Sequence, residues 1–344
     1  MIRVGLIGLP NAGKSTLFNF LTNANALVAS YPFSTVTPNK ANLKLYDKGA
    51  DVLAKAIDAP DVMRTEVEVW DIAGLIKNAS QGEGLGNEFL GQIKDCDIVI
   101  HVVRIDHTST ETNVALDMKT VLAEIALFDH KCLLKPFEKG RRMARLYPHE
   151  AEHIVMNEVL TKAYYGTQEG GPITDVLKGD ELVKINDIGL ISAKPRITVF
   201  NTGKEATQTA KELRGDVVGN LLELATLASL SSEDRVLLGY SDELIDAFLQ
   251  DYSQQLIRKT RFKRFYTVGR LGVGQWVVPE DADAKACSQV VHADLSESIK
   301  GVRVASTANF IKQRSWQSLM KQGLVKKYGP THIPHNEDVL YFDK

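Results

Sequence analysis

The stretch Gly8-Leu9-Pro10-Asn11-Ala12-Gly13-Lys14-Ser15 is a complete Gly-x-x-x-x-Gly-Lys-Ser phosphate-binding loop. Residues 1–7 before it have the apolar content of a buried strand, and Thr16-Leu17-Phe18-Asn19-Phe20-Leu21 after it has helical apolar spacing. That strand–loop–helix context is what the motif needs. Gly8 and Gly13 let the backbone curl so that successive amides face phosphate oxygens, and the helix N-terminus adds its partial positive charge. Lys14 is placed to reach the β- and γ-phosphates, and the Ser15 hydroxyl to ligate Mg²⁺. The run Asn11, Ala12, Gly13, Lys14, Ser15 and Thr16 is therefore the expected nucleotide cradle.

Working outward, residues 65–70 alternate as a strand, and Asp71-Ile72-Ala73-Gly74 stands at its end. An Asp-x-x-Gly one strand after a phosphate loop is the second half of such a site. Asp71 is expected to hold Mg²⁺, and the Gly74 amide to sense the γ-phosphate. Between the two motifs lies Tyr31-Pro32-Phe33-Ser34-Thr35-Val36-Thr37-Pro38-Asn39. One of its threonines should complete the metal shell, Thr35 first and Thr37 second. Further strands are expected over 98–103 and 196–200, the latter ending at Asn201. Strands alternating with helices imply a parallel-rich α/β sheet with its ligand at the carboxyl edge.

The 344 residues exceed what one core usually supports, so two or three domains are expected. A hydrophobic fraction of 44% and a charged fraction of 24% are those of an ordinary globular chain. With a net charge of −2, any affinity for nucleic acid must come from a local patch. Cys96, Cys132 and Cys287 lack CxxC spacing, which argues against a zinc site or a disulfide framework. There is no charged-then-apolar leader and no long apolar run, so the reading is cytoplasmic with no membrane partner.

Residues 112–165 lack strand signals and place Val114, Met118, Val121, Leu122, Ile125 and Phe128 at helical intervals. A second helix is expected to open near Pro148. Lys135, Lys139, Arg141, Arg142 and Arg145 charge the faces of this arm. His149-Glu150-Ala151-Glu152-His153 matches the zinc-protease pattern His-Glu-x-x-His, but five letters in a chain already explained by a phosphate loop read better as surface histidines. Near the C-terminus a helix is expected over 241–256. Next comes Arg258-Lys259-Thr260-Arg261-Phe262-Lys263-Arg264-Phe265-Tyr266, in which Phe265 and Tyr266 read as core strand residues while Arg258, Arg261 and Lys263 suit RNA contact. Gly272 and Gly274 mark a turn.

The run Asp71-Ile72-Ala73-Gly74-Leu75-Ile76-Lys77-Asn78-Ala79-Ser80-Gln81-Gly82-Glu83-Gly84-Leu85-Gly86-Asn87-Glu88-Phe89-Leu90 resembles the second switch of the YchF-type Obg-like ATPases. The phosphate loop and the Tyr-Pro-Phe-x-Thr-x-x-Pro-Asn segment match that family too. So do Phe265-Tyr266-Thr267-Val268-Gly269, Trp276 and Val291-His292-Ala293-Asp294 in the tail. The resemblance covers essentially the whole chain. It implies a P-loop NTPase core over 1–110 and 195–245, an inserted antiparallel helical arm over 111–194, and a C-terminal α+β β-grasp module (TGS, ubiquitin-like) with its leading helix over 246–344.

The resemblance also implies an ATP-preferring, slowly hydrolysing switch that binds the ribosome or RNA through the C-terminal domain and the arm. In the wider GTPase class a carboxylate reads guanine from Asn-Lys-x-Asp. Here the segment is Asn201-Thr202-Gly203-Lys204-Glu205, so Lys204 stands where the acceptor belongs, and the later base loop falls at Gly219-Asn220-Leu221. Leu75 occupies the place of the water-orienting glutamine of many GTPases, a replacement that the family shares. Asn11 reads two ways: as a cap of the turn, or as a ligand for K⁺ beside the phosphates, as in some relatives. A nucleotide-dependent adaptor with little turnover and a GTP-preferring GTPase are the competing readings.

Overall fold

The computed structural model describes residues 1–28, 36–37, 40–71, 91, 93–106, 108–202, 216–238, 242–269 and 272–343. The apolar run at the N-terminus becomes β1 (Ile2–Ile7). The next strands in the chain are β2 (Val36–Thr37), β3 (Lys40–Lys44), β4 (Val62–Met63), β5 (Glu66–Asp71), β6 (Ile98–Ile105), β7 (Arg196–Thr202) and β8 (Val217–Gly219). All but β4 form one seven-stranded sheet in the order β2-β3-β5-β1-β6-β7-β8. The pairs β1·β6, β6·β7 and β7·β8 are parallel. In β6 every residue except Arg104 is buried, as a parallel strand covered on both faces requires.

Helix α1 (Lys14–Val28) begins within the phosphate loop, and α2 (Lys48–Ala56) follows β3. The expected arm consists of α3 (Glu111–Leu146) and α4 (Ala151–Gly166). Thr110 caps α3, its hydroxyl accepting from the Asn113 N–H at 3.3 Å. The first half of α3 lies on the sheet, with Val121, Ile125 and Phe128 packed among Ile7, Trp70 and Val99. Its second half leaves the sheet and packs on α4 through Leu133, Val159, Leu160 and Ala163. Residues 111–194 are therefore no separate unit: one 36-residue helix serves both cores, and the arm clusters with the nucleotide-type fold.

The second compact unit holds 43–67 and 243–344, so the expected boundary at 246 holds only in part. Residues 43–67, read from sequence as nucleotide domain, belong to the C-terminal module because β4 pairs in parallel with its strand β10 (Gly272–Pro279). Helix α2 adds Ala50, Leu53 and Ala54 to a core with Tyr266, Val273, Phe310, Leu319 and Val339. The module's sheet also contains β9 (Phe262–Gly269), β11 (Gly301–Ser306), β12 (Lys326–Tyr328) and β13 (Asp338–Asp343), in the order β12-β11-β13-β9-β10-β4. Strands β9 and β10 make an antiparallel hairpin, and β13 returns parallel to β9 in the middle of the sheet.

Three local expectations change. The last long helix, α5 (Glu243–Thr260), takes Arg258 into its final turn rather than into a strand, where its charge suits the helix dipole. Gly274 lies inside β10, not in the turn. Helix α4 starts at Ala151 with Glu150 at its cap, three residues later than Pro148 predicts. None of the described helices is long and apolar enough to cross a membrane.

Candidate functional site

Where β1 ends, the chain turns back on itself through two glycines with positive φ, Gly8 (+148°) and Gly13 (+104°). Both glycines are required. A Cβ on Gly8 would strike the Val102 carbonyl oxygen of β6, and one on Gly13 the Asn201 amide. Asn11, at φ +61°, adopts the left-handed conformation that asparagine tolerates and stands exposed at the loop tip. Ala12 is buried, Ser15 is exposed at the first turn of α1, and Thr16 is half-buried.

Lys14 is only 7% exposed, and its ammonium curls back over the loop to donate to the carbonyl oxygens of Gly8 (3.2 Å) and Leu9 (2.9 Å). Burial lowers its pKa, and the Asp71 carboxylate at the end of β5 opposes that shift. The structure thus brings Lys14 and Asp71 into electrostatic reach although they lie far apart in the chain. Asn201 stitches the loop to the next one. Its Nδ2 donates to the Ala12 carbonyl at 2.9 Å, and its Oδ1 accepts from the Leu221 N–H at 3.2 Å. Gly219 pairs with Asn201 in the β7·β8 register, and Asn220 caps the helix that follows. Ser15 and Asp71 supply hard oxygen donors of the kind Mg²⁺ prefers. Thr35, Gly74, Leu75 and Lys204 lie outside the described residues, and Thr37 is described only as part of β2.

Sequence reasoning missed His101. It lies on β6 opposite Ile7 and Thr198, 1% exposed, and its Nδ1 has no hydrogen-bond partner among the described residues. The signal was present as a lone polar letter inside an apolar strand. With Leu9, Asn11 and Asp117, His101 lines a cavity of about 360 Å³ beside the loop. Burial, with the charges of Arg196 and Lys14, pushes its pKa down to about 3. The unfolded imidazole takes up a proton near pH 6.5, while the folded one stays neutral. His101 therefore contributes stability above that pH, and the contribution is lost as the pH falls toward 3. Between pH 7 and pH 5 the wild type should lose about 2 kcal/mol more than His101→Gln, by urea titration. Equal losses would show that the ring protonates in the folded protein.

Of two other motifs, the basic run departs from its reading and the His-Glu-x-x-His segment keeps to its own. Lys263 is buried, its ammonium donating to the Ala282 (2.8 Å) and Pro334 (2.9 Å) carbonyl oxygens, so it has no charge to offer RNA. Arg258 and Arg261 are exposed, whereas Phe265 and Tyr266 fill the core as expected. His149 precedes α4 instead of sitting one turn before His153 on a helix, so the zinc-protease geometry does not form; His153 pairs with Glu150 at 3.2 Å.

The family described as a 50S ribosome-binding GTPase matches residues 3–134, and the YchF GTPase C-terminal family, described as a protein of unknown function, matches 262–344. The chain is similar to the ribosome-binding ATPase YchF of Mycoplasma genitalium, 30% identical over 99% of both chains. It is also similar to the protein of that name from Bacillus subtilis, 27% identical over 99% of this chain and 98% of the relative. Among solved structures, the YchF GTPase of Schizosaccharomyces pombe aligns with a TM-score of 0.82 at 21% identity, covering 99% of this chain and 97% of that one, a likeness of fold.

Proposed function

Since the chain belongs to the YchF family of P-loop nucleotide-binding proteins, we propose that it is a Mg²⁺-dependent nucleoside-triphosphate switch. In this reading it prefers ATP, hydrolyses it slowly and couples its nucleotide state to ribosome or RNA binding. The observation that carries the proposal is the complete phosphate loop with Lys14 held over it in reach of Asp71. The names of the relatives, ribosome-binding ATPases, support the hydrolase and the ribosome as partner.

The chain's own residues have separable roles. Loop amides and the α1 N-terminus bind the phosphates, and Lys14 moves from its carbonyl partners to the β- and γ-oxygens. Ser15 and Asp71, with Thr35, would hold Mg²⁺, which when bound supplies charge neutralisation of the phosphates. Gly74 reports the γ-phosphate through its amide. Asn201 and Gly219 shape the base pocket, because Asn201 holds the phosphate loop and the base loop together. Leu75 has no hydrogen-bonding group to orient water, so Lys14 carries the charge stabilisation, and Asn11 would hold a monovalent cation such as K⁺ that adds to it.

Two features favour a second reading, an adaptor with negligible turnover: Leu75 at the water-positioning place, and Lys204 where guanine would need an acceptor. Single-turnover hydrolysis with and without ribosomes separates the two. Base preference follows from Lys204, since a pocket without that carboxylate leaves the guanine N1 and N2 protons unpaired. In a Mg²⁺-containing titration ATP should bind at least as tightly as GTP. A GTP preference above about a hundredfold, ~2.7 kcal/mol, would mean that Glu205 or another acid supplies the acceptor.

A further inference from the structure

Strands β3 and β5 are neighbours in the seven-stranded sheet, and both continue directly into residues 43–67, which belong to the C-terminal unit. At their sheet end the Lys40 ammonium of β3 lies over the Trp70 ring of β5, 3.5 Å from its centroid. Thr37 of β2 pairs with Lys40, and Asp71 closes β5. At their other end the Leu45 N–H donates to the Thr65 carbonyl at 2.8 Å, so the pairing runs past the last residue of β3 and the first of β5. The two strands form one ribbon.

Both sides of the ribbon end on one cross-strand pair of the module. Gln275 and Tyr266 stand opposite each other in the β9·β10 hairpin, each 0% exposed. From one side Thr65 donates its N–H to Gln275 Oε1 at 3.0 Å and its hydroxyl to the Gln275 carbonyl at 3.1 Å. From the other, Asp47 accepts from the Tyr266 hydroxyl at 3.0 Å. Gly49 leaves room for that hydroxyl, since a Cβ there would lie 2.7 Å from it. A passive tether between compact units is exposed and rich in Gly, Ser or Pro. Here Leu43, Leu45, Val67 and Val69 are at most 3% exposed, and neither 40–47 nor 62–71 contains a Gly or Pro.

We propose that the β3/β5 ribbon is a relay: it carries the nucleotide state from the metal-binding end of the strands to the Tyr266·Gln275 pair and changes how readily the β9–β10 hairpin opens. The relay rests on the nucleotide-switch reading, in which Thr35, directly before β2, and Asp71, at the end of β5, would both draw toward Mg²⁺. A displacement applied at that end meets no Gly- or Pro-bearing segment that would absorb it. It reaches Thr65 and Asp47, whose partners are buried, and moving either one alone breaks a buried hydrogen bond. The hairpin therefore follows the ribbon. By reciprocity, whatever holds the hairpin closed also raises the affinity for the triphosphate.

The test uses the full chain with Mg²⁺ and the non-hydrolysable analogue AMP-PNP. Hydrogen exchange over residues 262–279 is read by mass spectrometry, and nucleotide binding by calorimetry. In the wild type the analogue should slow exchange of the hairpin about fivefold or more, the lower range of ordinary coupling between sites. Tyr266→Phe/Gln275→Met removes the hydroxyl and the side-chain acceptor at nearly constant volume. It should still bind the analogue but lose the exchange response. Tyr266→Phe alone should lose part of the response, which covers the case of a double variant that does not fold. Thr267→Val removes the bond from Trp276 Nε1 (2.9 Å) in the same hairpin, a bond that involves neither side of the ribbon, and should keep the full response. A folded double variant that responds like the wild type overturns the relay, as does an equal loss in Thr267→Val. A wild type that binds the analogue with no change in the hairpin also overturns it and leaves the nucleotide reading intact. Absence of binding by calorimetry removes both.

Discussion

Replacing Lys14 by alanine is expected to weaken ATP binding at least tenfold, a loss of about 1.4 kcal/mol or more, by calorimetry in the presence of Mg²⁺. Lys14 is the only side-chain cation in the loop motif, and it is already largely desolvated. Its two partners are loop carbonyls at 3.2 and 2.9 Å, so a bound phosphate exchanges neutral acceptors for charged ones. Lys14→Arg should not restore affinity, because the guanidinium is a wide planar fork where the loop encloses a point charge. Omitting Mg²⁺ should weaken binding to a similar degree, since in the proposed switch Ser15 and Asp71 would act only through the metal. Affinity unchanged by both alanine and metal removal would end the phosphate-loop reading.

The largest expected loss of stability is at Asp47. This carboxylate is 1% exposed and holds three groups at once. Its Oδ1 accepts from the Gly49 N–H at 2.9 Å, capping α2, and lies 3.2 Å from Arg264 Nη1. Its Oδ2 accepts from the Tyr266 hydroxyl at 3.0 Å. Arg264 is itself 4% exposed, and its second neighbour, Glu337, lies farther away at 3.6 Å. Asp47→Ala leaves a buried guanidinium without its near counter-charge, removes a helix cap and orphans a buried hydroxyl. The expected cost is about 3–5 kcal/mol. Asp47→Asn, which keeps the cap acceptor, should cost less. Adding Arg264→Met to Asp47→Ala should recover part of the loss, because the uncompensated charge is then gone. Urea denaturation followed through the module's Trp276 and Trp316 measures all three. A loss under about 1 kcal/mol for Asp47→Ala would place this pair among weakly coupled surface ion pairs.

These two residues mark the limits of sequence reading. Lys14 was legible because its meaning lies within eight letters: two glycines, a lysine and a serine at fixed spacing allow one backbone path. The place of Asp71 at the end of β5 was legible because the alternation before it is local. Asp47 was not legible, since its Tyr266 partner is 219 residues away and nothing near it in the chain announces a buried acid. The segment 43–67 was misassigned for the same reason: its two-residue strand β4 acquires meaning only by pairing with β10.

The basic residues divide along the same line. Lys263 and Arg264 stand in a run that reads as an exposed basic segment, yet the strand they occupy turns both charges inward to carbonyls and to Asp47. The cations of α3 read from sequence as an ordinary solvated face, and they remain exposed. By itself the sequence determined the phosphate loop, the alternation of strands and helices, and the helical arm, because each depends on backbone geometry over a few neighbouring residues. Only the tertiary structure decided which charges are buried, where His101 lies, and that residues 43–67 belong with the C-terminal module. Burial and long-range pairing depend on which surfaces meet, and local spacing carries no record of that.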